Sequence, residues 1–380
     1  IEREMRDPKA AERFALKQSQ AFVDQMEGFA LELEDELMNF SDVSYKSFVK
    51  SESEIITLFY DKFADIPLLS RMDAVAETFI DEIETLLNRD LPEEERIPLI
   101  EKFRKMYETM DFYVLYNRFL KKEGYQTLPR RPLEKRKLRY EDVYPVLYLK
   151  YRLSRQAERS NIKHLVIDEM QDYSRLQYLI IRRMFSCKMT ILGDRAQTMA
   201  DQQQDVLQFL PGIFGKDLRR IEMRKSYRNT VEIASYAANL IGVTDLELFE
   251  RHGMPVLERD VTDLEAALRE AVDTLFPEEK TYETAAVIVP DEKTAERAYL
   301  ILREILAEKD FDCEKRLSWL NRDSSSFKKG LTVTTFYLAK GLEFDQVFSI
   351  FPKDEKREMM MQAQYIAATR ALHELRVYHI

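Results

Sequence analysis

A chain of 380 residues with 45% hydrophobic side chains has enough apolar mass for two or three domains with real cores, which excludes a disordered or fibrous protein. Its two cysteines, Cys187 and Cys313, stand far apart and away from histidines, and no apolar run approaches a membrane span; a disulfide scaffold, a zinc site and a membrane partner are therefore not expected, and the expected setting is cytoplasmic. The formal charge of -10 is unevenly spread: residues 1–110 hold 26 acidic and 14 basic side chains, net -12, and the rest of the chain is net +2.

Only Gly28 precedes Gly124 among nine glycines, and a long stretch nearly free of glycine reads as helix. Phe22, Met26, Phe29, Leu33, Leu37 and Phe40 recur at helical spacing on one face. A further helix is expected to start at Ser51, whose hydroxyl caps it while Glu54 reaches back in a capping box. Met72, Val75, Ala76, Phe79 and Ile83 repeat the apolar stripe, so these helices pack on one another. Residues 128–139, with two prolines and six basic side chains, read as a connector. From about residue 160 the period changes. His164–Ile167 and Met189–Leu192 are short apolar runs that end in acidic or Gly-Asp residues, as buried parallel strands do when they deliver functional groups at their carboxyl ends. Runs at Ala285–Val289, Leu331–Thr335 and Gln346–Ile350 then alternate with helical patterns such as Thr294–Ile305, an α/β signature.

Asp168-Glu169 follows its strand directly, the placement in which one carboxylate holds Mg²⁺ and the next polarises an attacking water. A second strand ends in Gly193-Asp194-Arg195-Ala196-Gln197. Ser226-Tyr227-Arg228-Asn229-Thr230 comes next, then Thr334 to Asp345 with Lys340-Gly341-Leu342-Glu343 inside it, and finally Tyr365-Ile366-Ala367-Ala368-Thr369-Arg370-Ala371. In order and spacing these resemble motifs II to VI of the UvrD/Rep-type superfamily 1 helicases.

The resemblance implies RecA-like P-loop NTPase domains, the first incomplete and the second near complete, with a long α-helical insertion arm. Expected boundaries are an acidic arm at 1–125, the rear of the first RecA-like domain at 126–220, and the second at 221–380. ATP and Mg²⁺ are the implied cofactors. Asp168 would coordinate the metal, Glu169 would activate water, and Gln197 would sense the γ-phosphate. Arg228 and Arg370 would reach the phosphates, Gly341 and Glu343 would contact nucleotide, Asp172 and Asp194 would support the site, and Tyr227 would pack. A phosphate loop needs G-x-x-x-x-G-K-[ST]. No stretch fits it; Gly212–Asp217 comes nearest and reads as a turn. The chain thus resembles a family member without its motif I, expected to hydrolyse ATP poorly by itself. A parallel sheet lacking a strand exposes apolar surface and unpaired edges, so a dimer, a domain swap or partial disorder is expected around residues 160–200.

Within the family, Glu141–Leu153 is very similar to HelD-like sequences that act on RNA polymerase. That resemblance implies an ATPase that binds the polymerase core through residues 1–110, displaces nucleic acid and recycles the enzyme, with weak contact to DNA or RNA. Two departures from UvrD-type sequences point the same way: Ala200 stands where an aromatic residue stacks on a base, a contact worth roughly 1–3 kcal/mol, and the interval from Thr230 to Thr334 is too short for a large extra domain. The alternatives are a UvrD-type DNA helicase or translocase and a non-hydrolysing binding module.

Overall fold

The computed structural model describes residues 8–155, 161–194, 206–243, 247–309, 312–322, 329–353 and 358–380. The chain divides into two compact units, residues 1–193 with 202–218, and residues 194–201 with 219–380.

The first unit is mainly helical: α1 (Pro8–Gln18), α2 (Gln20–Glu36), α3 (Glu52–Thr57), α4 (Leu68–Leu87), α5 (Glu93–Arg104), α6 (Phe112–Lys122), α7 (Tyr140–Leu153), α8 (Arg175–Met184) and α9 (Val206–Phe214). The stripe on α2 is buried as its spacing predicts, from Phe22 to Leu33, with Leu37 just beyond the helix and Phe40 packed against the same core. Ser51 and Glu54 form the expected capping box at α3. Between Pro67 and a left-handed Asn88, α4 buries all five residues of its predicted stripe. One apolar core runs from Phe22 through Leu153 to Ile180, so α7 and α8 pack with the helices that precede them. A hairpin of β1 (Val43–Tyr45) and β2 (Phe48–Lys50) interrupts the helices and has no counterpart in the apolar periodicity. Residues 128–139 are mostly exposed and hold one 3₁₀ turn, Leu133–Lys135.

Strands β3 (His164–Ile167) and β4 (Lys188–Ile191) pair in parallel as a sheet of two. Val166 is 60% exposed and Leu192, just after β4, 44% exposed, in line with apolar surface left uncovered at this sheet. The segment Gly212–Asp217 is not a simple turn. Gly212–Phe214 is the end of α9, which tolerates Pro211 inside it, and Gly215 at φ +67° turns the chain into a 3₁₀ segment.

In the second unit β5 (Lys225–Ser226) pairs with β6 (Glu247–Leu248), and α10 (Val231–Leu240) lies between them in sequence. The main sheet comprises β7 (Leu257–Asp260), β8 (Thr284–Val289), β9 (Leu317–Trp319), β10 (Gly330–Thr335), β11 (Phe344–Phe351) and β12 (Ala371–His379), all parallel, in the order β7-β12-β11-β8-β10-β9. Its connections include α11 (Leu264–Asp273), α12 (Glu292–Ala307), the short α13 (Cys313–Arg316) and α14 (Glu358–Thr369). Successive side chains of β8 serve opposite faces: Ala285, Val287 and Val289 meet α11 and α12, whereas Ala286 and Ile288 meet α10 and α14. Such a sheet, covered on both faces, explains why these strands read as continuous apolar runs. The architecture is α/β and RecA-like.

Candidate functional site

In the first unit Asp168 lies exposed at the carboxyl end of β3, and its Oδ1 accepts the Glu169 N–H at 2.8 Å. Glu169 adopts a left-handed conformation (φ 52°), which for a residue with a long side chain costs roughly 1–2 kcal/mol. Its carboxylate accepts the Gln171 amide. Met170 and Gln171 behind it are buried. A Cβ on Gly193 would lie 2.4 Å from Met170 Cγ and 2.7 Å from Met170 N, so only glycine lets the end of β4 approach this turn. Among the described residues no group of three or more His, Cys, Asp or Glu is arranged to hold a metal. Mg²⁺ commonly takes only one or two carboxylates and fills its octahedron with water and substrate phosphate, so one exposed aspartate is a fitting donor set.

Arg228, Gly341, Glu343 and Arg370 gather in the second unit. Arg228 Nε lies 2.6 Å from Glu343 Oε1, with 47% and 41% of the two side chains exposed. Arg370 is 2% exposed; its Nη1 donates to the Leu342 carbonyl at 3.4 Å, its Nε to Ile366 O at 3.3 Å and its Nη2 to Thr369 Oγ1 at 3.2 Å. Gly341 has φ +77°, a conformation that glycine adopts freely, and it lets the loop turn into β11. Tyr365 donates to Asp194 Oδ2 at 3.0 Å; burial and the Asp194 carboxylate push the phenol up, and nearby Arg370 and Arg228 oppose this. Tyr227 is 61% exposed, with its ring 5.6 Å from that of Phe249 and the Lys225 ammonium 5.5 Å from its ring centre. Asp172 lies in the 3₁₀ turn after Glu169. Gln197 and Ala200 lie outside the described residues.

Sequence reasoning passed over three residues of this neighbourhood. Buried Asn229 donates to Thr369 O and Ala371 O, at 3.2 and 2.6 Å. Arg251 Nη2 donates to Arg228 O and Leu372 O, at 2.6 and 2.5 Å. Glu232 accepts His252 Nδ1 at 3.0 Å and the Gly253 N–H at 2.8 Å. Asn229 stood within a recognised motif, but Arg251 and Glu232 lie outside any.

These features define a helicase-type α/β protein. Residues 6–199, just over half of the chain, match the UvrD/REP helicase N-terminal domain, and the chain belongs to that family of superfamily 1 helicases. Members are in general ATP-hydrolysing enzymes that use a divalent cation. No curated protein matches the chain. Solved structures similar to it include the C-terminal domain of a possible DNA helicase from Lactobacillus plantarum WCFS1, 24% identical over 41% of this chain and 88% of that one, with a TM-score of 0.32. The PRRSV helicase is 15% identical over 70% of this chain and 45% of its own, TM-score 0.32. An arterivirus nonstructural protein 10 helicase, solved with DNA, is 14% identical over 56% and 39%, TM-score 0.29. The chain thus spans less than half the length of either viral helicase.

Proposed function

We propose that the chain is part of a UvrD-type enzyme that couples ATP hydrolysis to movement along single-stranded DNA. The match of residues 6–199 to the UvrD/REP helicase N-terminal domain carries this reading. The meeting of Arg228, Glu343 and Arg370 in the second unit supports it. In this reading Asp168 holds Mg²⁺, which when bound supplies charge neutralisation at the phosphates. Glu169 takes the proton of the attacking water, and Gln197 senses the γ-phosphate. Arg228 and Arg370 neutralise charge that develops in the transition state, a contribution worth roughly 10³–10⁵ in rate for arginines of this kind. Gly341 and Glu343 border the nucleotide. With no G-x-x-x-x-G-K-[ST] stretch in its sequence, the chain by itself turns ATP over slowly.

The interval from Thr230 to Thr334 is occupied, among the described residues, by elements of the β5–β6 pair and the main sheet with its helices. The reading is therefore that of a translocase without a large domain inserted there. A second reading is a HelD-like partner of RNA polymerase, favoured by the net charge of residues 1–110 and by the phrase Glu141–Leu153. It ranks second because that phrase is α7, which buries Glu141, Asp142, Pro145, Tyr148, Leu149 and Leu153. Likeness in a packed helix reports shared packing before it reports a shared partner.

The test is binding of a single-stranded oligonucleotide across a salt series. The first reading predicts measurable affinity whose logarithm falls linearly with the logarithm of salt, at about 0.7 per phosphate neutralised. An affinity that is absent at low salt, or indifferent to salt, contradicts it.

A further inference from the structure

We propose that Asn229 and Arg251 are positioning residues that hold Arg228 and Arg370 at a fixed spacing; this rests on the reading that both arginines serve nucleotide phosphates. Two arginines that serve one ligand bind it at lower cost when the main chain that carries them is already ordered, because the backbone then has no ordering entropy left to lose. An amide NH₂ has two hydrogens to donate. Asn229 places both on the carbonyls that flank Arg370, Thr369 O and Ala371 O, while it is itself the neighbour of Arg228. Arg251 links the same two segments, joining the carbonyl of Arg228 to that of Leu372 through Nη2.

Gly253 completes the staple. A Cβ there would stand 2.6 Å from Thr230 Cγ2 and 3.2 Å from His373 O, so the strap at 251–253 lies directly against the chain just after Arg228 and against the first residues of β12. Its far end is tied to Glu232 through the Gly253 N–H and His252. The four accepting carbonyls belong to Arg228 itself, to the two neighbours of Arg370 and to Leu372 two residues beyond it, a choice that simple packing of β12 against α10 does not require.

The experiment uses the 380-residue chain, follows the Nε–Hε NMR signals of Arg228 and Arg370, and titrates inorganic tripolyphosphate. Asn229→Asp keeps the size but turns a carboxylate oxygen toward two carbonyls. Arg251→Lys keeps the charge and loses the fork. All measurements are made well below each variant's melting midpoint, and if Asn229→Asp does not fold, Arg251→Lys carries the same test. Both variants are expected to displace the two arginine signals and to weaken tripolyphosphate about tenfold, equivalent to about 1.4 kcal/mol. A lower melting midpoint with unchanged arginine signals and affinity would mean a merely structural role and overturn the proposal. Arg228→Lys and Arg370→Lys separate the two levels. If neither alters tripolyphosphate binding, the phosphate reading falls and the proposal with it; if they do but Asn229 and Arg251 variants do not, only the positioning role falls.

Discussion

Arg228 and Glu343 form an ion pair between side chains that are each close to half exposed. Pairs of that kind are worth roughly 0–1 kcal/mol, little enough for a polyphosphate to take the guanidinium from its protein partner. Arg370 differs: it is buried and bonded to main-chain and hydroxyl oxygens, so its position is set by the fold. Glu232 shows how closely the strap beside them is tied. The hydrogen bond from His252, reinforced by the Gly253 N–H, outweighs desolvation and holds its carboxyl down to about 2, from an ordinary 4.5. A carboxyl lowered by folding adds stability above its unfolded value and loses it as pH falls toward the folded one. Its contribution is therefore full above about 4.5 and fades down to about 2. The pair is largely solvated, so screening limits it to about 1 kcal/mol or less. Glu232→Gln is expected to flatten the acid limb of stability in that window, measured by urea unfolding at several pH values. A limb identical to that of the parent chain would remove Glu232 from the account.

Among the elements, α1 is fastened by a buried ion pair. Lys17 Nζ lies 2.5 Å from Asp142 Oδ1 on α7, and Tyr116 on α6 donates to the same oxygen at 2.8 Å. Burial and the Asp142 charge push the Tyr116 phenol well up, so it remains a donor. Removing one partner of such a pair leaves an uncompensated charge, at roughly 3–5 kcal/mol, whereas replacing both with apolar residues is often neutral. Lys17→Met should lower stability by about that amount, and Lys17→Met with Asp142→Leu should recover most of it; equal losses in the single and double variants would contradict the pairing. The stripes of α2 and α4, the Ser51 cap and the strands β3, β8, β10 and β11 were legible because each is a local pattern of burial or capping. The β1–β2 hairpin was not, since three-residue strands are too short for alternation to register. Nor was Gly212–Phe214, where glycine and proline inside a helix imitate a turn. At the candidate site, motif order points to Arg228, Glu343 and Arg370, which the fold brings near one another. The contacts of Arg251 are not visible there, because its hydrogen bonds go to two carbonyls that only the fold brings within reach.

At the scale of the whole molecule, two compact units divide the features. The first holds the helical layer, the acid excess and the Asp168-Glu169 turn; the second holds the six-stranded sheet with Arg228, Glu343 and Arg370. An acidic surface is poorly suited to nucleic acid and well suited to a basic partner, so charge alone leaves residues 1–110 compatible with a polymerase channel. The reading we propose takes DNA as the track instead. The two readings assign the near-neutral remainder of the chain different work. The most direct measurement is competition: the chain binding labelled single-stranded DNA, challenged with core RNA polymerase, at two salt concentrations. The account predicts salt-sensitive DNA binding that polymerase does not displace by binding the chain. Tight polymerase binding with no affinity for DNA would contradict it and establish the polymerase partner as the better reading.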